Sequence, residues 1–230
     1  MPKALTPRPG SKHRRATNAP TGNLSRAISE ELQQVTRPTD LRDATSRLSR
    51  AVDLLERGDS GGAVAEAAKA KALSPRSSSV REVLGLAYYG QGRWQEALTE
   101  TKAYKRMSGR SDQNHIIADC LRALGRPAEA VPLAEEVLRT KVANETKAEA
   151  VIVAASALAD QGRFPEALAF LARARTRDDV AEDYTLRLWY VKGDILAKAG
   201  RSKEAAEQFR KVMRHDAGAF DAAERLAELA

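Results

Sequence analysis

The sequence predicts an all-α fold made of consecutive antiparallel helix pairs. A Gly-Arg-x-x-Glu-Ala motif occurs four times, beginning at Gly92, Gly125, Gly162 and Gly200. A diverged copy begins at Gly58, so the intervals between the glycines are 34, 33, 37 and 38 residues. A repeat period in this range is typical of stacked helix pairs. Aromatic residues make up 5% of the chain and hydrophobic residues 43%, which favours close-packed helices over a β-sandwich.

Each motif predicts the end of one helix and the beginning of the next. The glycine follows an apolar helical pattern, where a helix stop needs the left-handed conformation that glycine adopts without cost. The glutamate falls in the first turn of the following helix, where the helix dipole favours a negative charge. Pro127 and Pro165 fall in that same turn, where a missing N–H is harmless. Each unit is therefore expected to be a helix, a tight turn and a second helix.

The chain begins with two segments outside the repeats. Residues 1–23 contain several prolines and almost nothing apolar, so we expect a disordered basic tail. Leu24, Ile28, Leu32 and Val35 recur at helical spacing and predict a short amphipathic helix with its linker over residues 24–37. This helix either packs on the first repeat or occupies the groove of the repeats. Asp40 is the expected N-cap of the helix that follows.

Residues 38–230 form the predicted repeat domain. Apolar residues recur at helical spacing throughout this region, and a polar-faced helix after Gly218 is expected to cover the exposed core of the last repeat. The expected bounds are 41–76, 77–110, 111–144, 145–181 and 182–217 for the repeats, and 218–230 for the cap.

The repeat at positions 84–97 resembles the tetratricopeptide repeat. Leu84-Gly85-x-x-Tyr88 matches the signature of that family's first helix, and Ala97 matches the small residue of its second helix. The last repeat supplies the remaining pattern positions, which are Trp189, Gly193, Ala205 and Phe209. The resemblance covers roughly residues 41–218, and the composition is typical of a bacterial member with about five repeats. It implies a right-handed α-solenoid of paired antiparallel helices with a C-terminal capping helix. Thr101 departs from the pattern, because a large residue is usual there.

The resemblance also implies a function. Ligands of this family lie against the first helices, so we expect a non-enzymatic scaffold or adaptor that binds a peptide or a partner protein in a concave groove. The residues expected to line the groove are Glu82, Leu86, Tyr89, His115, Asp119, Arg122, Ile152, Ser156, Tyr190 and Asp194. Acidic members of this set outnumber the basic ones, so the expected ligand is a basic or amphipathic segment.

The charge distribution suggests a second function. Of the formal net charge of +7, residues 1–23 contribute +5. Lys12, Arg14 and Arg15 form the densest basic cluster, which would neutralise the phosphates of a polyanion. The alternative is therefore a nucleic-acid- or ribosome-associated factor that uses this tail. A solvated tail without a ligand is the other interpretation.

The sequence predicts no catalytic residue, no cofactor and no metal site. His13, His115 and His215 are far apart and stand in no metal-binding pattern. Cys120 lies in an apolar run and is expected to be a small core residue. A single cysteine fits a reducing compartment, and no apolar run approaches the roughly 18 residues of a membrane helix. No apolar stretch follows the basic N-terminus as in a secretory signal. We therefore expect a cytoplasmic protein and leave its oligomeric state open.

Overall fold

The computed structural model describes residues 24–174 and 182–229, where all regular secondary structure is helical. The helices are α1 (Arg26–Val35), α2 (Pro38–Glu56), α3 (Ser60–Leu73), α4 (Ser78–Gly90), α5 (Trp94–Ser108), α6 (Asn114–Ala123), α7 (Ala130–Leu138), α8 (Asn144–Asp160), α9 (Phe164–Leu171), α10 (Asp183–Lys198), α11 (Ser202–His215) and α12 (Ala222–Ala227). A 3-10 turn, Pro127–Glu129, precedes α7. The predicted fold class, an all-α solenoid of helix pairs, is confirmed. The tail of residues 1–23 lies outside the described residues.

The chain divides into two compact units, with the boundary inside α6 between Cys120 and Leu121. In the N-terminal unit α2 packs on α3, α4 packs on α5, and α3 also packs on α4. In the C-terminal unit α8 packs on α9, α10 packs on α11, and α8 and α9 both contact α10. Sequence-adjacent helices therefore form the pairs, and each pair stacks on the next within its unit.

The turn between the two helices of a pair has one backbone geometry in all five copies of the motif. The glycines adopt φ values between 69° and 80°, which L side chains rarely adopt. The amide after each glycine donates to the carbonyl five residues earlier, as in Arg93 to Tyr88 at 3.0 Å and Arg201 to Leu196 at 2.9 Å. These bonds satisfy carbonyl groups that the end of a helix leaves without a partner.

The arginine and glutamate of the motif form an ion pair across the first turn of the second helix. Arg93 lies 2.7 Å from Glu96, and the pairs that begin at Arg126, Arg163 and Arg201 repeat the contact. The hydrogen bond from Arg93 lowers the pKa of Glu96. In the diverged copy the Asp59 side chain instead accepts from the Gly62 amide at 2.8 Å. Both arrangements place a carboxylate where the helix dipole favours it.

Helix α1 packs on the N-terminal unit. Leu32 is fully buried in the apolar cluster of α2, α3 and α4. Its neighbour Glu31 accepts hydrogen bonds at the beginning of α4, from the Ser77 hydroxyl at 2.8 Å and the Ser78 amide at 2.5 Å. The buried hydroxyls of Thr36 and Ser74 lie 2.7 Å apart. These contacts fix α1 against the first repeat through apolar burial and a carboxylate at a helix N-terminus.

Two helix ends differ from the sequence prediction. Asp40 is not the N-cap of α2, because Pro38 begins the helix and Arg37 is its cap. Proline is well suited to a first helical position, and Asp40 lies in the first turn. The last helix spans Ala222–Ala227 and is therefore shorter than the predicted cap of residues 218–230. Phe220, with a φ of 58°, interrupts helical geometry just before it.

A buried carboxylate links three helices of the N-terminal unit. Glu100 of α5 is 4% exposed. It accepts from Lys71 of α3 at 2.5 Å and from Arg81 of α4 at 2.8 Å. A carboxylate this deeply buried needs such partners, because removal of its hydration is costly.

Two glycines allow the helices of a pair to approach closely. A Cβ at Gly85 would lie 2.7 Å from Thr101 Cγ2 and 3.2 Å from the Thr101 amide nitrogen. A Cβ at Gly193 would lie 2.9 Å from Phe209 Cε1. Thr101 therefore stands where a large residue is usual because α5 lies so close to α4 there.

We expect Gly85→Ala to lower the free energy of unfolding by about 1 kcal/mol. Overpacking of about 1–3 kcal/mol exceeds the helix-propensity gain of about 0.5–1 kcal/mol. Gly61→Ala is the matched control, because its Cβ would be no closer than 3.4 Å to the nearest side chain; it should be at least as stable as the wild type. Urea denaturation measures both, and a Gly85→Ala variant as stable as Gly61→Ala would contradict the close approach.

Glu66 carries a pH-dependent part of the stability. Its side chain on α3 accepts from Arg47 of α2 at 2.9 Å and from Lys69 at 2.9 Å. These bonds lower the pKa of Glu66 from 4.5 to about 2. A depressed carboxyl pKa stabilises the folded state above its ordinary pKa, and this contribution is lost as the pH falls through the folded-state value.

We therefore expect the stability difference between wild type and Glu66→Gln to be largest above about pH 4.5 and to shrink towards pH 2. Urea midpoints measured across this range test the expectation. Glu56→Gln serves as the control, because Glu56 is exposed and has no ion pair among the described residues. A constant difference for Glu66→Gln at every pH would contradict the assignment.

Candidate binding face

The expected groove residues of α4 share one side of the helix. Glu82, Leu86 and Tyr89 are separated by four and three residues, so they project from the same face. All three are half-buried. We call these three residues the α4 face.

Helix α6 and the residue just before it supply hydrogen-bond partners to the α4 face. The Tyr89 hydroxyl donates to Asp119 Oδ2 at 2.6 Å, and Gln113 Nε2 donates to Glu82 Oε1 at 2.6 Å. Asp119 is 3% exposed, and His115 lies one helical turn before it and is half-buried. The N-terminal unit thus brings five of the expected residues onto two helices, with Leu86 between two fixed polar groups.

The expected residues of the C-terminal unit are also engaged by neighbouring side chains. Arg122 Nε donates to Asp160 Oδ2 at 2.9 Å, with both side chains largely buried. Asp194 accepts from Arg225 at 2.9 Å and lies 2.7 Å from Lys198.

Tyr190 of α10 is tied to the segment before α12. Its hydroxyl donates to Asp221, and burial, followed by this hydrogen bond, raises the pKa of Tyr190. Phe220 stacks on the Tyr190 ring at 4.8 Å and is 40% exposed. Sequence reasoning missed Phe220, because periodicity placed it at the start of a capping helix and not in a left-handed conformation.

Helix α8 does not offer the surface that the sequence predicted for it. Ile152 and Ser156 are 1% and 6% exposed, because α8 packs against α7, α9 and α10. These two side chains therefore cannot contact a ligand without displacement of their neighbours. The candidate contact residues therefore exclude Ile152 and Ser156, and also Asp119 and Arg122, which are 3% and 7% exposed.

The equivalent positions on α2 belong to an apolar cluster. Leu48, Val52 and Leu55 stand 34 residues before Glu82, Leu86 and Tyr89. They share this cluster with Ile28 and Leu32 of α1 and with Leu24, which precedes that helix. Leu48 is fully buried. The candidate binding face of this unit therefore begins at α4.

Sequence reasoning missed the partners of the expected residues. These are Gln113, Asp160, Asp221 and Arg225. Each stands 31 or 38 residues after the residue that it contacts. A separation close to the repeat period was the available signal, since residues about one repeat apart lie on neighbouring repeats.

The described part of the chain contains neither a candidate metal site nor a candidate membrane-spanning helix. Between residues 24 and 174 and between 182 and 229, no three His, Cys, Asp or Glu side chains are grouped to hold a metal ion. None of the helices described there combines the length and apolar character needed to cross a membrane. Lys12, Arg14 and Arg15 lie outside the described residues.

Two family comparisons match the repeats. Residues 48–111 match the family described as Tetratricopeptide repeat, and residues 116–218 match the family described as Tetratrico peptide repeat. A search of curated proteins finds no significant match.

Solved structures share the fold at low sequence identity. TTC0263, a thermophilic TPR protein in Thermus thermophilus, is 18% identical with a TM-score of 0.64, over 81% of this chain and 98% of that one. YrrB, a TPR protein with an unusual peptide-binding site, is 19% identical with a TM-score of 0.55, over 86% and 96%. The quorum sensor NprR from B. thuringiensis is 14% identical with a TM-score of 0.66, over 87% and 62%. NprR also has a structure with its cognate peptide NprX.

Cys120, the sole cysteine, directly follows Asp119 in α6 and is buried. Cys120 has no exposed surface, and burial, with the nearby Asp119 carboxylate, raises the pKa of Cys120 to about 12. The thiolate is the reactive form, so we expect no reaction of the native protein with Ellman's reagent at pH 8. In guanidinium chloride one thiol should react. Rapid modification of the native protein would contradict the burial of Cys120, and Cys120→Ser provides the blank.

Proposed function

Because this chain belongs to the tetratricopeptide repeat family, we propose that it is a non-enzymatic scaffold that binds a peptide or a segment of a partner protein along its first helices. The fold supports a protein–protein interaction role. YrrB and NprR, which share the fold, have a peptide-binding site and a bound peptide respectively. Those two proteins do not identify the partner of this chain, so the nature of that partner is inferred from this chain's own residues.

The observation that carries the proposal is the α4 face. Leu86 is a half-exposed apolar side chain between Glu82 and Tyr89, whose polar atoms are held by Gln113 and Asp119. An apolar patch flanked by fixed polar groups is a pre-organised surface, which lowers the entropic cost of binding.

The hydrogen bonds of the expected groove residues change which kind of ligand we expect. The three carboxylates that suggested a basic segment, Glu82, Asp119 and Asp194, each accept a hydrogen bond from a neighbouring first helix or cap. Their capacity for a ligand's cations is therefore partly used. We propose an amphipathic segment, with an apolar side chain against Leu86, in preference to a strongly basic one.

The test is affinity capture from native lysate with the full-length protein. Leu86→Arg should remove the captured partner, because it places a charge in the apolar patch. Gln95→Arg is the matched control on exposed surface of α5 and should retain it. Each capture is repeated with nuclease.

A third variant addresses the tail. Replacement of Lys12, Arg14 and Arg15 by Ala should leave the captured partner unchanged. A partner that survives Leu86→Arg but disappears with the tail variant or with nuclease would overturn the proposal in favour of nucleic-acid or ribosome association.

A further inference from the structure

A second surface lies between α11 and α12, the last two helices described. There the side chains line two adjoining shallow depressions, of about 520 Å³ and about 350 Å³, which share Glu207 and Arg210. The residues that decide their character are Lys203, Ala206, Arg210, Met213, Arg214 and Leu226. We call the two together the α11–α12 depression.

One side of the depression is a row of cations. Lys203, Arg210 and Arg214 are separated by seven and four residues, so they follow one face of α11. All three are exposed, and none forms an ion pair among the described residues. Arg201, at the start of the same helix, is by contrast paired with Glu204. The row therefore keeps an excess of positive charge next to a single acid, Glu207.

The floor of the depression is apolar. Met213, Leu226 and Leu229 are half-buried and pack against the cluster that contains Trp189 and Phe209. Methionine is flexible and polarizable, so it adapts to different apolar surfaces. An apolar strip thus runs beside the row of cations.

We propose that the α11–α12 depression binds an amphipathic helix of a partner protein, with Asp and Glu flanking the apolar side of that helix. The apolar strip would receive side chains spaced i, i+3, i+4 and i+7. The row of cations would pair with the flanking carboxylates, which speeds association and sets orientation. This surface is distinct from the α4 face, so the inference goes beyond the proposed scaffold function.

Two other occupants fit the chemistry less well. Single-stranded nucleic acid binds through stacking on aromatic side chains, and the residues that line the depression are not aromatic. A second copy of this chain in a two-fold contact would bring the same cations towards each other.

The test uses a synthetic fluorescein-labelled helix with Leu at i, i+3, i+4 and i+7 and Glu on both flanks. Fluorescence anisotropy with the full-length protein measures its affinity. Combined Lys203→Glu, Arg210→Glu and Arg214→Glu substitutions should weaken binding about tenfold or more. A scrambled peptide of the same composition, which lacks an apolar side, should bind weakly to the wild type.

The matched control reverses three exposed cations of the N-terminal unit. Arg57→Glu, Lys102→Glu and Arg106→Glu change the net charge equally, and none of these residues lines the depression. This variant should bind the probe within about twofold of the wild type, as should Leu86→Arg. If Leu86→Arg still captured the partner from lysate, that result would contradict the proposed scaffold function but not the proposed binding of a helix at the α11–α12 depression.

Three results would overturn the inference. The first is that both triple variants weaken peptide binding equally, which would show that the overall charge of the protein determines the affinity. The second is equal affinity for the scrambled peptide, which would assign it to polyanion attraction. The third is a concentration-dependent dimer in sedimentation velocity that the Lys203, Arg210 and Arg214 variant abolishes, because the occupant would then be a second copy.

Discussion

The left-handed glycine between the two helices of each pair is the constraint on which the other contacts depend. It reverses the chain immediately after a helix, while the next amide bonds a carbonyl of the last turn. That bond fixes where the second helix begins and therefore which of its side chains meet the first helix. The Arg–Glu ion pair and the close approach of Thr101 to Gly85 both depend on the residue at which the second helix begins. A less restricted turn would leave the register of each pair open.

Above the level of the pair, hydrogen bonds between residues 30 to 38 positions apart join successive repeats. The bonds from Tyr89 to Asp119 and from Arg225 to Asp194 are of this kind. They satisfy half-buried polar groups that would otherwise cost free energy, and they hold those groups in one orientation. The same side chains thus contribute to stacking and to the surface proposed for a ligand.

Sequence alone predicted the helix pairs, because the period, the glycines and the apolar spacing are local signals that agree with one another. It also predicted that Glu82, Leu86 and Tyr89 share a side of one helix. It could not predict the burial of Ile152 and Ser156, since this depends on which helices enclose α8. Likewise, nothing local marked Glu31 as the acceptor at the beginning of α4. Phe220 departed from its helical pattern because the chain turns there in a left-handed conformation.

The two crowded glycines make the repeats individual rather than interchangeable. Gly85 faces a threonine, whereas Gly193 faces a phenylalanine ring, so each glycine is matched to one particular neighbour on the second helix. In the intermediate repeats the corresponding positions are Ala118 and Ala155. Recombination that joined a first helix from one repeat to a second helix from another would combine sizes that were never adjusted to each other. Such a mismatch would either crowd the two helices or leave a gap between them.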